Sequence, residues 1–197
     1  LCVNQLRERH GKSPMPENAI RAEVSNGARA LTQLGFGLAD NDERLEPLRQ
    51  ELLALYLDIL GSQTTLFPGM ADSLGWIEKS GMDWGIVTNK PSLYTLLLIE
   101  RLNLPFTPST VICPDHVKHS KPHPEPLWLA CSQLGLPVAQ AVYFGDHHRD
   151  IEAGRAAGMP TISCGWGYAS SEEECLSWCA DHHLTSASEI PALLQTL

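Results

Sequence analysis

The chain has no cluster of lysine and arginine. Its 14 Lys and Arg stand against 23 Asp and Glu, for a net charge of −9, and the missing basic patch excludes nucleic acid and anionic membrane surfaces as partners. Long apolar runs are lacking as well. Residues 52–60 and 94–99 fall far short of the roughly 18 residues a transmembrane helix needs, and Asp58 interrupts the first. No secretory signal is expected, since residues 1–10 mix polar and apolar side chains without an apolar centre. Cys2, Cys113, Cys131, Cys164, Cys175 and Cys179 contain no Cys-x-x-Cys pair. Without a signal they read as reduced, mostly buried thiols of a cytoplasmic protein. No internal repeat or low-complexity tract is visible.

What is present is an ordinary globular mixture, 43% hydrophobic and 19% charged over 197 residues. Such a chain buries roughly 70% of its unfolded surface. Residues 1–66 read as all-helical. Helical periodicity over residues 1–9 ends at Gly11, a second helix opens at Pro16-Glu17, and Ser25-Asn26-Gly27 reads as a turn. A third helix runs to Leu34 with Gly35-Phe36-Gly37 ending it, and residues 43–60 form a long amphipathic helix. From Leu66 the rhythm changes. Short apolar runs at residues 84–88, 110–113, 141–144 and 160–164 alternate with helices at 70–80, 92–102, 124–134 and 149–157. Helices at 172–179 and 187–194 complete the tail. This alternation predicts an α/β fold, a parallel sheet with helices on both faces.

The motif at the centre of the chain is Gly145-Asp146-His147-His148-Arg149-Asp150, between the third strand and its helix. Open parallel sheets bind ligands at the carboxyl ends of their strands. Two carboxylates there suit a hard divalent cation such as Mg²⁺, which takes one or two protein carboxylates and leaves the rest to phosphate and water. The plainer alternative makes Asp146 a turn residue and Asp150 a helix cap. Two further strand ends converge on the same edge. Thr88-Asn89-Lys90 offers a hydroxyl and backbone N–H groups for a phosphate oxygen, or simply caps a helix. Ser120-Lys121-Pro122 offers a positive charge, or an ordinary solvated lysine. Hydroxyl, lysine and paired carboxylates in this order suit phosphoryl transfer.

Ile86-Val87-Thr88-Asn89-Lys90-Pro91, Ser120-Lys121-Pro122 and Gly145-Asp146-x-x-x-Asp150 resemble the second, third and fourth motifs of the haloacid dehalogenase-like phosphatases. Asn26-Gly27-Ala28-Arg29, Phe67-Pro68-Gly69 and Gly165-Trp166-Gly167-Tyr168 resemble the phosphoglycolate phosphatase branch. Cys113-Pro114-Asp115-His116-Val117-Lys118 is most similar to the bacterial N-acetylmuramic acid 6-phosphate phosphatases. The resemblance implies a helical cap subdomain over residues 1–66 and a Rossmann-like phosphatase core over residues 67–197. It implies a Mg²⁺-dependent phosphatase acting through an aspartyl-phosphate on a small phosphorylated metabolite, 2-phosphoglycolate or a sugar phosphate. Thr88 and Lys121 would be catalytic, Asp146 and Asp150 would hold the metal, and Asn89, Asn26, Gly27 and Arg29 would bind substrate.

The family's first motif, Asp-x-Asp-Gly-Thr, supplies its nucleophile and does not occur here. The chain's sole Asp-x-Asp, Asp40-Asn41-Asp42, lacks the leading apolar run and the trailing Gly-Thr, so it reads as helix capping. The resemblance places the missing strand mid-sheet, so about 15–25 residues upstream of Leu1 are expected to be absent. The rival reading is a catalytically inactive phospho-ligand binder. Cys113, His116, His119 and His123 also suggest zinc, although their spacing is not a standard Cys/His pattern.

Overall fold

A computed structural model describes residues 1–169 and 171–197. The chain divides into two compact units, Leu1–Gln63 and Thr64–Leu197. No helix among the described residues is long and apolar enough to cross a membrane.

The first unit is helical: α1 (Cys2–Arg9), α2 (Glu17–Glu23), a 3₁₀ turn (Val24–Asn26), α3 (Gly27–Phe36) and α4 (Leu45–Ile59). Val3, Leu6, Ile20, Leu52 and Leu55 form its centre. The link between α1 and α2 is closed by Asn4, which donates to the Met15 carbonyl at 3.0 Å and accepts the Met15 N–H at 2.8 Å. Two expectations shift. The segment before Gly27 is 3₁₀ rather than an open turn. Gly35 stays inside α3 because it lies against Val3, where a Cβ would come within 3.1 Å of the valine side chain. Gly37 takes the left-handed cap instead, at φ +65°. Helix α4 begins only at Leu45 because Asp42 accepts the Arg44 N–H at 2.9 Å and grips its guanidinium.

The second unit alternates as expected: α5 (Met70–Lys79), β1 (Gly85–Val87), α6 (Ser92–Leu102), β2 (Thr110–Ile112), α7 (Glu125–Leu134), β3 (Tyr143–Gly145), α8 (His148–Ala157), β4 (Thr161–Cys164), α9 (Glu172–Ser177), β5 (His182–Leu184) and α10 (Ile190–Leu194). All strand pairs are parallel. β1 pairs with β2, and β3–β4–β5 form a second sheet in that order. Side chains along β3 alternate between faces. Val142 and Phe144 join Leu74, Ile77 and Ile190 of α5 and α10. Ala141 and Tyr143 join Leu127, Cys131, Ala153 and Ala157 of α7 and α8.

β5 adds a strand to the four expected, in the stretch between the two tail helices. Two histidines in three residues give no apolar run, but β4 is buried along its length and β5 covers its outer edge. His183, on that strand, meets the Ser163 hydroxyl at 2.8 Å. β1 and β3 share no ladder. A cavity of about 1220 Å³ lies beside them, lined by Trp84, Ile86, Val87, Val142 and Phe144 among others. Trp84 Nε1 is buried with no hydrogen-bond partner among the described residues.

Candidate active site

Lys121 organises the edge where β1 and β3 end. Its ammonium donates to the Val87 carbonyl at 2.7 Å, to Tyr143 Oη at 2.8 Å and to Asp150 Oδ1 at 2.7 Å. An ammonium has three N–H groups, and all three are placed. Tyr143 Oη also donates to the Val87 carbonyl, at 3.1 Å. The lysine and aspartate side chains are each only 8% exposed, so the solvated-lysine alternative does not hold. Burial pulls the ammonium's pKa down, but Tyr143 and Asp150 outweigh it and the net shift is upward. Burial pushes the Tyr143 phenol up to about 12, so it stays a neutral donor.

The loop that delivers Lys121 is held by Asn89. The Asn89 amide donates to the Lys121 carbonyl at 2.8 Å and accepts the Lys121 N–H at 3.2 Å. Thr88, just past β1, accepts the Lys90 N–H at 3.1 Å through Oγ1, which leaves its own proton for an incoming oxygen. Thr88 is not a helix cap, since Pro91 precedes α6 and Asp115 receives the Ser92 N–H at 2.9 Å. The hydrogen bonds from Ser92 lower the Asp115 pKa.

Asp146 and Asp150 sit on either side of the α8 start. The cap of α8 is His147, whose Nδ1 accepts the Arg149 N–H at 3.2 Å, so Asp150 is not the cap. Burial first, then the charge of Asp150, raise the Asp146 pKa. The Tyr168 backbone N–H and Lys121 act the other way. Two glycines make room: a Cβ on Gly145 would collide with the Asp150 side chain, and one on Gly167 with that of Asp146. Two carboxylates stand beside one ammonium here, a balance of one negative charge among the three groups. Oxygen donors with that balance fit a hard divalent cation, which Asp146 and the second oxygen of Asp150 would hold.

Thr88, Asn89, Lys121, Asp146 and Asp150 all belong to the Thr64–Leu197 unit. Asn26, Gly27 and Arg29 belong to the other. Gly27 opens α3 at φ +82° and Asn26 Nδ2 donates to Glu23 at 2.9 Å. Arg29 binds the Asp40 carbonyl at 2.8 Å and its carboxylate at 3.2 Å. Tyr143 is the participant sequence reasoning missed, because a tyrosine inside a short apolar run reads as core. The Cys/His quartet is not assembled: Cys113 is buried, and its N–H donates to His116 Nδ1 at 3.2 Å. Among the described residues, His119, His123 and Glu125 gather instead.

The sequence profile of the haloacid dehalogenase-like hydrolases matches residues 2–164. The N-acetylmuramic acid 6-phosphate phosphatase of Pseudomonas aeruginosa is 42% identical over 182 residues, covering 92% of this chain and 80% of the relative. The phosphoglycolate phosphatase of Xanthomonas campestris pv. campestris is 38% identical over 179 residues, covering 91% and 80%. Among solved structures, a predicted phosphoglycolate phosphatase from Haemophilus somnus superposes with a TM-score of 0.86 at 21% identity, covering 98% of this chain and 89% of that one. That likeness gives the fold, a Rossmann-like core with a helical cap. The chain belongs to the haloacid dehalogenase-like hydrolases.

Proposed function

We propose that this chain carries the metal-binding and phosphate-holding residues of a Mg²⁺-dependent phosphomonoesterase. The observation that carries the reading is the Lys121–Asp150 pair, buried beside Asp146 and tied to the end of β1 through Val87. Bound at Asp146 and Asp150, Mg²⁺ supplies Lewis-acid polarisation of a phosphoryl oxygen and offsets its charge.

The chain's own residues do the rest. The Thr88 hydroxyl donates to a non-bridging oxygen of the phosphoryl group. Lys121 stabilises the charge that builds on the phosphoryl oxygens, acting through a charge fixed before substrate arrives. Asn89 holds the lysine's loop and Tyr143 holds its ammonium, so both are positioning residues. Asn26, Gly27 and Arg29 are proposed to bind substrate.

By the family resemblance, the attacking group would be the first aspartate of an Asp-x-Asp-Gly-Thr motif. Its carboxylate oxygen would bond to phosphorus as the ester P–O bond breaks, and the leaving alkoxide would take its proton from the motif's second aspartate, the general acid. Water then attacks the aspartyl-phosphate, releasing phosphate and restoring the carboxylate.

For the substrate, the 42% identical Pseudomonas relative favours N-acetylmuramic acid 6-phosphate. The 38% identical Xanthomonas relative keeps 2-phosphoglycolate as the second reading. The protein extended by a strand bearing Asp-x-Asp-Gly-Thr should be assayed on both, side by side, by phosphate release. A kcat/KM at least about tenfold higher on the sugar phosphate, equivalent to about 1.4 kcal/mol, supports the first reading. The opposite order selects phosphoglycolate. Release from neither sinks the phosphatase reading and leaves the phospho-ligand binder.

A further inference from the structure

The loop that carries Lys121 has a second face. Its ammonium points inward to Val87, Tyr143 and Asp150, while the residues on either side of it, His119 and His123, are exposed and turn toward Glu125. His119 Nδ1 lies 3.0 Å from Glu125 Oε2, and His123 Nδ1 lies 4.0 Å from the same oxygen. The two imidazole centroids are 4.7 Å apart. One ligating atom from each of the three residues falls within 4.8 Å of the others.

We propose that His119, His123 and Glu125 form a binding site for a borderline transition-metal dication of the Zn²⁺ class, separate from the Asp146–Asp150 pair and independent of the phosphatase reading. Two imidazoles and one carboxylate are the donor types Zn²⁺ takes, with bonds of about 2.0–2.2 Å. Tetrahedral donors at that bond length stand about 3.4 Å from one another. The Glu125–His119 approach is already inside that separation, and the others close by rotation of exposed side chains. Imidazole nitrogens discriminate against Mg²⁺, which prefers oxygen, so the two sites sort different ions.

The site is built rather than incidental. Glu125 opens α7 and accepts the Lys118 N–H at 3.0 Å and the His119 N–H at 3.1 Å, which fixes the loop against its carboxylate. Its own N–H donates to His123 Nδ1 at 3.2 Å, which orients that ring and leaves Nε2 as the atom that would ligate. Pro122 and Pro124 flank His123 and restrict the backbone between the ligands. The carboxylate that organises the loop backbone is the one that would meet the metal. Occupancy would therefore tie together the two flanks of Lys121. Three protein ligands leave a position open to water or to a ligand from outside.

The test is Zn²⁺ binding to the unaltered chain, by equilibrium dialysis and calorimetry in excess Mg²⁺, so that the carboxylate pair does not contribute. One equivalent is expected, together with a rise in Tm that follows Zn²⁺ concentration. Even partners outside the ligand set change metal affinity about 10–100-fold, so His119→Ala and His123→Ala should each weaken binding at least about tenfold. Both residues are exposed, and neither variant should alter the circular dichroism spectrum of the metal-free protein. Substitution by Co²⁺ reads the donors directly. Visible bands without sulfur charge transfer are expected, whereas thiolate bands would assign the ion to the cysteines. Affinity unchanged in both variants, thiolate bands, or no binding beyond that of His119→Ala would each overturn the site.

Discussion

Lys121 and Asp150 form a buried ion pair at 2.7 Å, and removing one half differs from removing both. Lys121→Met leaves the Asp150 carboxylate without its cation, and breaking a buried pair from one side costs about 3–5 kcal/mol. Lys121→Met combined with Asp150→Leu should be less destabilised than the sum of the single changes, because no orphaned charge remains. Urea unfolding of the three variants measures this, and additive losses would show that the pair is not coupled. Tyr143→Phe removes the oxygen that meets both Lys121 and Val87. Its expected cost is about 1–2 kcal/mol, read from the same unfolding curves, since a buried ammonium loses one acceptor.

Element ends show where close approach matters more than propensity. Gly167, in the turn after β4, packs against Asp146 so tightly that a Cβ has no room. Gly167→Ala should push the carboxylate aside, costing about 1–3 kcal/mol of stability by overpacking and weakening Mg²⁺ binding measured by calorimetry. Unchanged Mg²⁺ affinity would remove Asp146 from the ligand set.

At the other end of β4, Thr161 is fully buried. Its N–H and hydroxyl both donate to Asp181 Oδ2 at 2.7 Å, and the hydroxyl accepts the Asp181 N–H at 3.2 Å. These bonds lower the Asp181 pKa below 3.8. A carboxylate with a depressed folded pKa contributes stability that is fully present above its unfolded value and lost as pH falls through the folded one. Asp181→Asn should therefore be less stable than the parent at neutral pH, with the gap narrowing in acid below about pH 3.8. A gap independent of pH would contradict the assignment.

What the sequence revealed at this scale follows from signal strength. β1 to β4 were legible because short apolar runs end at turn residues, and their periodicity needs no partner. β5 was not, because His182 and His183 become strand only through pairing with β4. Thr88, Lys121, Asp146 and Asp150 could be picked out because their types and strand-end positions imply chemistry. That Lys121 is buried and already paired could not be read. Its partners Tyr143 and Val87 are 22 and 34 residues away in sequence, and neither looks polar in its local pattern. Glu125 read as the first turn of a helix, which it is, so its place between two histidines appears only in three dimensions.

At the scale of the whole molecule, the units Leu1–Gln63 and Thr64–Leu197 each have a core of their own. Residues 62–65 between them are exposed, and exposed loop segments are where proteases nick first. Limited thermolysin digestion, read by mass spectrometry, should release fragments ending near that segment, at Leu66 or Phe67, before any cut within α4 or α8. Early cleavage inside those helices would argue against two separately packed units.

Asp146 acting with a metal on a phosphate ester is the centre of the proposed chemistry. The most direct measurement uses the protein extended by a strand bearing Asp-x-Asp-Gly-Thr and follows phosphate release from a simple phosphate monoester. It compares Mg²⁺ with chelator, and the parent with Asp146→Ala. Release is expected only with Mg²⁺ and only from the parent. Turnover in chelator, or undiminished turnover by Asp146→Ala, would contradict it.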